Sequence, residues 1–167
     1  KADQHLFRHN DLHHLRALLD RHRASHGHCL IVTDGVFSMD GDLAPVHELA
    51  ALAKEYDAWL MTDDAHGIGV VGAGGRGSTF AGGTKAEVDL QMGTLSKAVG
   101  GYGGYLCASK PVIDLMKTRC RTLVYSTGLP PATVAAAIAA LNIIESDPEY
   151  ASRPLKKAQR FTQRLGL

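Results

Sequence analysis

The feature that most constrains this chain is an alternation of short apolar runs with longer amphipathic or polar stretches. The runs are Cys29-Leu30-Ile31-Val32, Trp59-Leu60-Met61, Leu90 to Leu95 and Tyr105 to Ala108. They are too short for helices and suit strands buried in a sheet. Helical segments separate them. Asn10 or Asp11 can cap a helix with Leu12, Leu15, Leu18 and Leu19 on one face. Pro45 suits the first turn of a helix running to about Tyr56, with Leu49, Leu52 and Ala53 inward. Pro111 opens a helix to about Arg119, Leu123-Val124-Tyr125 reads as a fifth strand, Pro130-Pro131 lead into an alanine-rich helix to about Glu145, and Pro148 begins a last one. The alternation predicts an α/β fold, a mostly parallel sheet with helices on both faces. Ligands in such sheets sit beyond the carboxyl ends of the strands. The polar, glycine-rich segments that follow the strands are therefore where chemistry is to be sought.

Composition narrows the function classes. With 45% hydrophobic and 21% charged residues, the chain has the balance of a soluble globular domain. A formal net charge of +1 gives no global attraction for nucleic acid or anionic lipid. No apolar run approaches the roughly 18 residues of a membrane helix, and no charged-then-apolar leader opens the chain. Three widely spaced cysteines, Cys29, Cys107 and Cys120, make neither a disulfide framework nor a zinc site. The setting expected is reducing and cytoplasmic. The absence of an initiator Met and the abrupt end of the charged segment at 153–164 suggest a piece of a larger protein.

Four segments carry possible chemistry. In Thr62-Asp63-Asp64-Ala65-His66-Gly67, a carboxylate at a strand end and a histidine three residues on can flank one ligand, the first pairing with a cationic ring nitrogen and the second donating to a ring oxygen or stacking. The plainer reading is a helix cap and a satisfied polar histidine. In GTLSKAVGGYGGY (93–105), Lys97 stands beside the Thr94 and Ser96 hydroxyls and ahead of a glycine-rich stretch that lets ligand and backbone approach closely. An amine there can form an imine with an aldehyde while the hydroxyls bind phosphate oxygens. A phosphate-binding P-loop does not fit, since its lysine follows the glycines; a surface lysine in a flexible loop is the plainer alternative. In VYSTGLPP (124–131), Ser126 and Thr127 precede a helix start, an anion site or simply a turn. In DGVFSMDGD (34–42), Ser38 lies between two acidic turns that lack EF-hand order. No metal site is expected, and the early histidines (His5, His9, His13, His14, His22, His26 and His28) read mainly as solvated surface.

Together, DGVFSMDGDLAP, Asp63-Asp64-Ala65-His66-Gly67, Gly75-Arg76-Gly77-Ser78, the Ser96-Lys97 pair and YSTGLPP resemble, in order and spacing, the α-oxoamine synthases. These are fold-type-I pyridoxal-phosphate enzymes that condense an amino acid with an acyl thioester and release carbon dioxide. The resemblance runs from Phe7-Arg8-His9-Asn10-Asp11 to the helix after Pro131. It implies the central part of a large transferase domain over 1–147 and, over 148–167, the start of a helical connection to a smaller C-terminal domain. It implies Lys97 as the Schiff-base lysine and proton carrier, Asp63 as partner of the pyridine nitrogen, His66 as partner of the ring's phenolic oxygen, and Ser38 as a further contact there. Thr94, and more weakly Ser96, match phosphate ligands. Ser126 and Thr127 match residues reaching the phosphate of a neighbouring subunit, which implies a homodimer with shared sites.

Tyr125-Ser126-Thr127 is most similar to the branch that joins L-alanine to a pimeloyl thioester, on coenzyme A or a carrier protein, in biotin synthesis. Sister branches use glycine or serine. Thr62 and Ile68 depart from the commoner valine and threonine without touching the mechanism. The family's ring-stacking residue, its backbone phosphate loop and its substrate-carboxylate arginine have no counterpart here, so the isolated chain is expected to bind cofactor poorly or turn over little. A non-catalytic partner subunit keeping the fold is the alternative of another class; the retained Lys97, Asp63 and His66 speak against it.

Overall fold

The computed structural model describes residues 2–166. Helix α1 (Leu12–His22) starts where the Asp11 side chain accepts from the His14 N–H, and a 3-10 turn (Arg23–Ser25) ends it. Strand β1 (Leu30–Asp34), helix α2 (Val46–Glu55) and strand β2 (Trp59–Asp63) follow. A loop with two 3-10 turns then leads to β3 (Leu90–Thr94), β4 (Gly104–Ala108), α3 (Lys110–Arg119), the single turn α4 (Arg121–Val124), α5 (Pro131–Ser146) and α6 (Pro148–Leu165).

The four strands form one sheet in the order β1-β2-β3-β4. β1, β2 and β3 are parallel, and β4 returns antiparallel to β3. This is the mostly parallel α/β sheet that the alternation predicts, with helices on both sides. β1 to β3 are in register through Asp34 opposite Asp63 and Asp63 opposite Met92, so their carboxyl ends make one edge. Because β4 runs the other way, with Gly104 opposite Thr94, it begins at that same edge.

The core lies between the sheet and helices α1 and α2. Alternation along the strands turns Ile31 and Leu60 toward it, where Leu15, Leu19, Leu49, Leu52 and Ala53 meet them. Leu49 and Leu60 are essentially removed from water, each contributing on the order of 1.5–3 kcal/mol of burial. Arg23 staples the end of α1 to the β2 side of the core, donating to the Tyr56 and Asp57 carbonyls. On the opposite face of the sheet Leu30, Val32 and Trp59 are about half exposed.

One expected element is corrected. Leu123-Val124-Tyr125 is not a strand. The Leu123 and Val124 amides donate to the Cys120 carbonyl and the Tyr125 amide to Arg121, closing a helical turn. These amides are thus satisfied locally, and among the described residues no strand pairs with it.

Candidate active site

The loops leaving the common edge carry the residues singled out in the sequence. The loop after β1 folds back on itself through a Val36–Leu43 bridge and carries Ser38, which is exposed at its tip. This loop is pinned from the first segment of the chain: Asn10 Nδ2 donates to Asp42 Oδ2 (2.9 Å) and the Leu43 carbonyl (3.2 Å), and His9 Nε2 lies 2.7 Å from the same carboxylate oxygen. Asn10 does so from a left-handed backbone (φ 51°), which asparagine tolerates better than most residues. His9, Asp40 and Asp42 present ligand atoms within 4.8 Å of one another, but all three are exposed and two of these groups are already joined.

Asp63 closes β2. Its carbonyl accepts the Gly35 amide (2.7 Å) and its Oδ1 accepts the Ala65 amide (2.9 Å). The chain turns at once, and His66 emerges exposed from that turn. The helix-cap alternative does not apply to Asp63, because a tight turn follows it rather than a helix.

Lys97 sits on the segment joining β3 to β4. That segment is a closed hairpin end, with Leu95 N–H donating to Gly103 O (2.8 Å) and Gly101 N–H to Leu95 O (2.6 Å). Gly100 and Gly103 take positive φ, 71° and 115°, which the tight closure requires. The closure aims Lys97 back across the edge, where its Nζ lies 2.7 Å from His66 Nε2. The two nitrogens share one hydrogen bond, whose donor is set by the imidazole tautomer. Among the described residues no carboxylate forms an ion pair with Lys97, so the amine's partner is the imidazole. Residues 31 positions apart are thus brought into direct contact.

Beside Lys97, the Thr94 and Ser96 hydroxyls are 2.6 Å apart; Thr94 Oγ1 also donates to Gly103 O and accepts the Ser96 amide. Ser96, Gly103, Gly104, Ser126, Thr127 and Gly128 share an open groove of about 740 Å³. Ser126 spends its hydroxyl on the Leu123 carbonyl (3.2 Å). The sequence-identified residues therefore fall into two direct associations, Lys97 with His66 and Thr94 with Ser96, and a groove that adds Ser126 and Thr127. Asp63 and Ser38 occupy the same edge without a side-chain hydrogen bond to these four.

Two neighbours of the site stand out only in three dimensions. Asp64 is fully buried, with both carboxylate oxygens accepting the Ser78 amide and Oδ2 accepting Gln91 Nε2. Burial pushes its carboxyl above the usual carboxylate range, against the pull of Ser78 and Gln91. Tyr105 on β4 lays its ring across Gly93 on β3, where a Cβ would come within 2.4 Å of the hydroxyl. Burial, then the nearby Asp64, Cys107 and Asp63, raises that phenol to about 12. The strand glycine Gly93 marks a close approach without saying to what, and Gln91 inside an apolar strand asks for a buried polar partner without singling out Asp64.

An amine, an imidazole and a carboxylate thus lie at the carboxyl edge of a mostly parallel sheet, with hydroxyls in an adjoining groove, at the edge where α/β folds bind their ligands. Comparison with known proteins agrees: residues 3–167 match the aminotransferase class I and II family model, and the chain belongs to that family. It is 64% identical over 162 residues to an 8-amino-7-oxononanoate synthase of Methylocella silvestris, covering 97% of this chain and 46% of that protein. To the synthase of the same name from Beijerinckia indica it is 61% identical, covering 99% of this chain and 43% of the other. The chain thus spans less than half the length of the curated relatives it matches. Among solved structures it is similar to the Sphingomonas wittichii serine palmitoyltransferase (38% identity, TM-score 0.77, 83% of this chain and 35% of that one). It is also similar to the Francisella tularensis 8-amino-7-oxononanoate synthase (31% identity, TM-score 0.62, 78% and 38%).

Proposed function

We propose that the protein carrying this chain is a pyridoxal-phosphate-dependent C-acyltransferase that joins L-alanine to a pimeloyl thioester, on coenzyme A or a carrier protein. Carbon dioxide is lost and 8-amino-7-oxononanoate is formed for biotin synthesis. The observation that carries the reading is the 2.7 Å contact of Lys97 Nζ with His66 Nε2 at the edge where Asp63 ends β2.

The donor set fits pyridoxal phosphate. Lys97 is a primary amine with no carboxylate partner among the described residues, and it suits the cofactor's aldehyde. Asp63 uses only Oδ1 in the hydrogen bonds described, leaving an acceptor for the ring nitrogen. His66 and Ser38 are read as partners of the ring oxygen, and the Thr94 and Ser96 hydroxyls, 2.6 Å apart, as partners of the phosphate. When bound, pyridoxal phosphate supplies an electron sink for the substrate's α-carbon. The remaining work falls to the chain. Lys97 Nζ takes the α-proton, and His66 orients that amine through their contact. Asp63 offers its carboxyl group at the end of β2 as the partner of the ring nitrogen.

The protein is read as a cytoplasmic homodimer, with Ser126 and Thr127 serving the partner's phosphate. Residues 1–147 are read as part of the large domain and 148–167 as the start of the connection to a smaller one. No helix among the described residues is long and apolar enough to cross a membrane. The likeness to serine palmitoyltransferase at 38% identity favours one second reading, a sister synthase using serine or glycine. The higher identities to 8-amino-7-oxononanoate synthases favour alanine. An assay of the full-length protein with alanine, glycine and serine against several acyl thioesters tests this. Fastest turnover of alanine with the pimeloyl thioester is expected. Preference for serine or glycine would move the protein to a sister branch, and no turnover with any pair would leave the non-catalytic subunit.

A further inference from the structure

Asp64 is the one fully buried carboxylate among the described residues, and no cation pairs with it. Such a group is costly unless hydrogen bonds hold it. The Ser78 amide lies 3.1 and 2.9 Å from its two oxygens, and Gln91 Nε2 lies 3.1 Å from Oδ2 while also reaching Thr79 Oγ1 (3.3 Å). Its own amide donates to the Met92 carbonyl of β3 (2.8 Å), and its carbonyl accepts the Gly67 and Ile68 amides (3.0 and 3.1 Å). The backbone closes on the carboxylate from three sides. A Cβ on Gly35, Gly67 or Gly77 would come within 2.8, 1.9 or 1.7 Å of its oxygens. Asp64 therefore gathers the end of β1, the turn bearing His66, β3 and the 71–78 loop about one point.

We propose that Asp64 is the positioning residue of this site: it touches neither Lys97 nor His66, and it fixes the turn that places His66 against Lys97. The turn bearing His66 lies directly against the carboxylate, so close at Gly67 that a Cβ there would come within 1.9 Å of Oδ1, while the Ser78 and Gln91 bonds fix where that carboxylate sits. The inference rests on the pyridoxal-phosphate reading for its effect on turnover, but not for its effect on His66.

Asp64→Asn keeps the shape and removes the charge; Gln91→Met removes one clasp bond at a partly exposed position and is the milder change. Leu49→Ala serves as a control that loosens the core away from the site. In the full-length protein, folded fractions being equal, both site variants are expected to lower kcat by about tenfold or more, with on the order of 10²-fold for a displacement near 1 Å. KM for the amino acid changes little. In cofactor-free protein, NMR titration of His66 is expected to shift in both variants and to stay at its wild-type value in Leu49→Ala. Wild-type His66 titration and wild-type kcat in a folded Gln91→Met would overturn the proposal, even if Asp64→Asn fails to fold. A wild-type protein that takes no cofactor at Lys97 would instead overturn the functional reading, while the His66 titrations still decide the role of Asp64.

Discussion

Lys97 has meaning only beside His66. Alone it is an amine in a glycine-rich loop; with an imidazole 2.7 Å from its Nζ it is an oriented group, and on the proposed reading it holds an aldehyde and moves a proton. Lys97→Ala is expected to lower turnover by at least roughly 10²–10⁴-fold, the scale of a lost proton-transfer group. It should also abolish the visible absorbance of bound cofactor, while the unfolding midpoint stays near wild type because the side chain is exposed. Asp64 behaves differently because it is buried. Its folded-state proton affinity is raised by burial, so the fold favours the protonated form. The associated stability is present below the ordinary carboxylate value and is lost as pH rises through the raised one. Wild type should therefore lose stability relative to Asp64→Asn as pH climbs from the acid side toward neutrality, measured by denaturant unfolding at a series of pH values. A difference that grew in the other direction would contradict a buried, unpaired carboxylate.

At the scale of elements, the strands and helices were legible because their signals were local. The apolar runs read as ending at Val32, Met61 and Leu95 became strands ending at Asp34, Asp63 and Thr94, and Asp11, Pro45, Pro111 and Pro130-Pro131 marked helix starts. The turn at 121–124 was not. Leu123-Val124 has strand composition, but whether such a segment joins a sheet depends on a free edge within reach, which no local pattern reports. The contrast is testable. Leu49→Ala in α2 removes a side chain only 1% exposed and should cost about 2–5 kcal/mol. Leu123→Ala, at 52% exposure, should stay within about 0.5 kcal/mol. The candidate site was legible for the same reason as the strands, since its residues follow strand ends. Asp64 was not, because its role is made by glycines at 35, 67 and 77 that converge only when the sheet and the following loop are assembled.

At the scale of the whole molecule, the Ser126–Thr127 segment is the point on which assembly turns. It shares a groove with Ser96 within this chain, whereas a dimer with shared sites would use it across the interface. Mixing full-length Lys97→Ala subunits with Thr127→Ala subunits separates the two arrangements. With shared sites, one site of each mixed dimer has both wild-type residues, so activity at limiting cofactor rises above that of either variant alone. If each subunit serves only its own site, mixing restores nothing.

On the proposed reading Lys97, held by His66, takes pyridoxal phosphate. The most direct measurement is borohydride reduction of the full-length protein with pyridoxal phosphate, followed by peptide mapping. A single stoichiometric pyridoxyl label on Lys97 is the predicted result. A label on other lysines, or none, would contradict it.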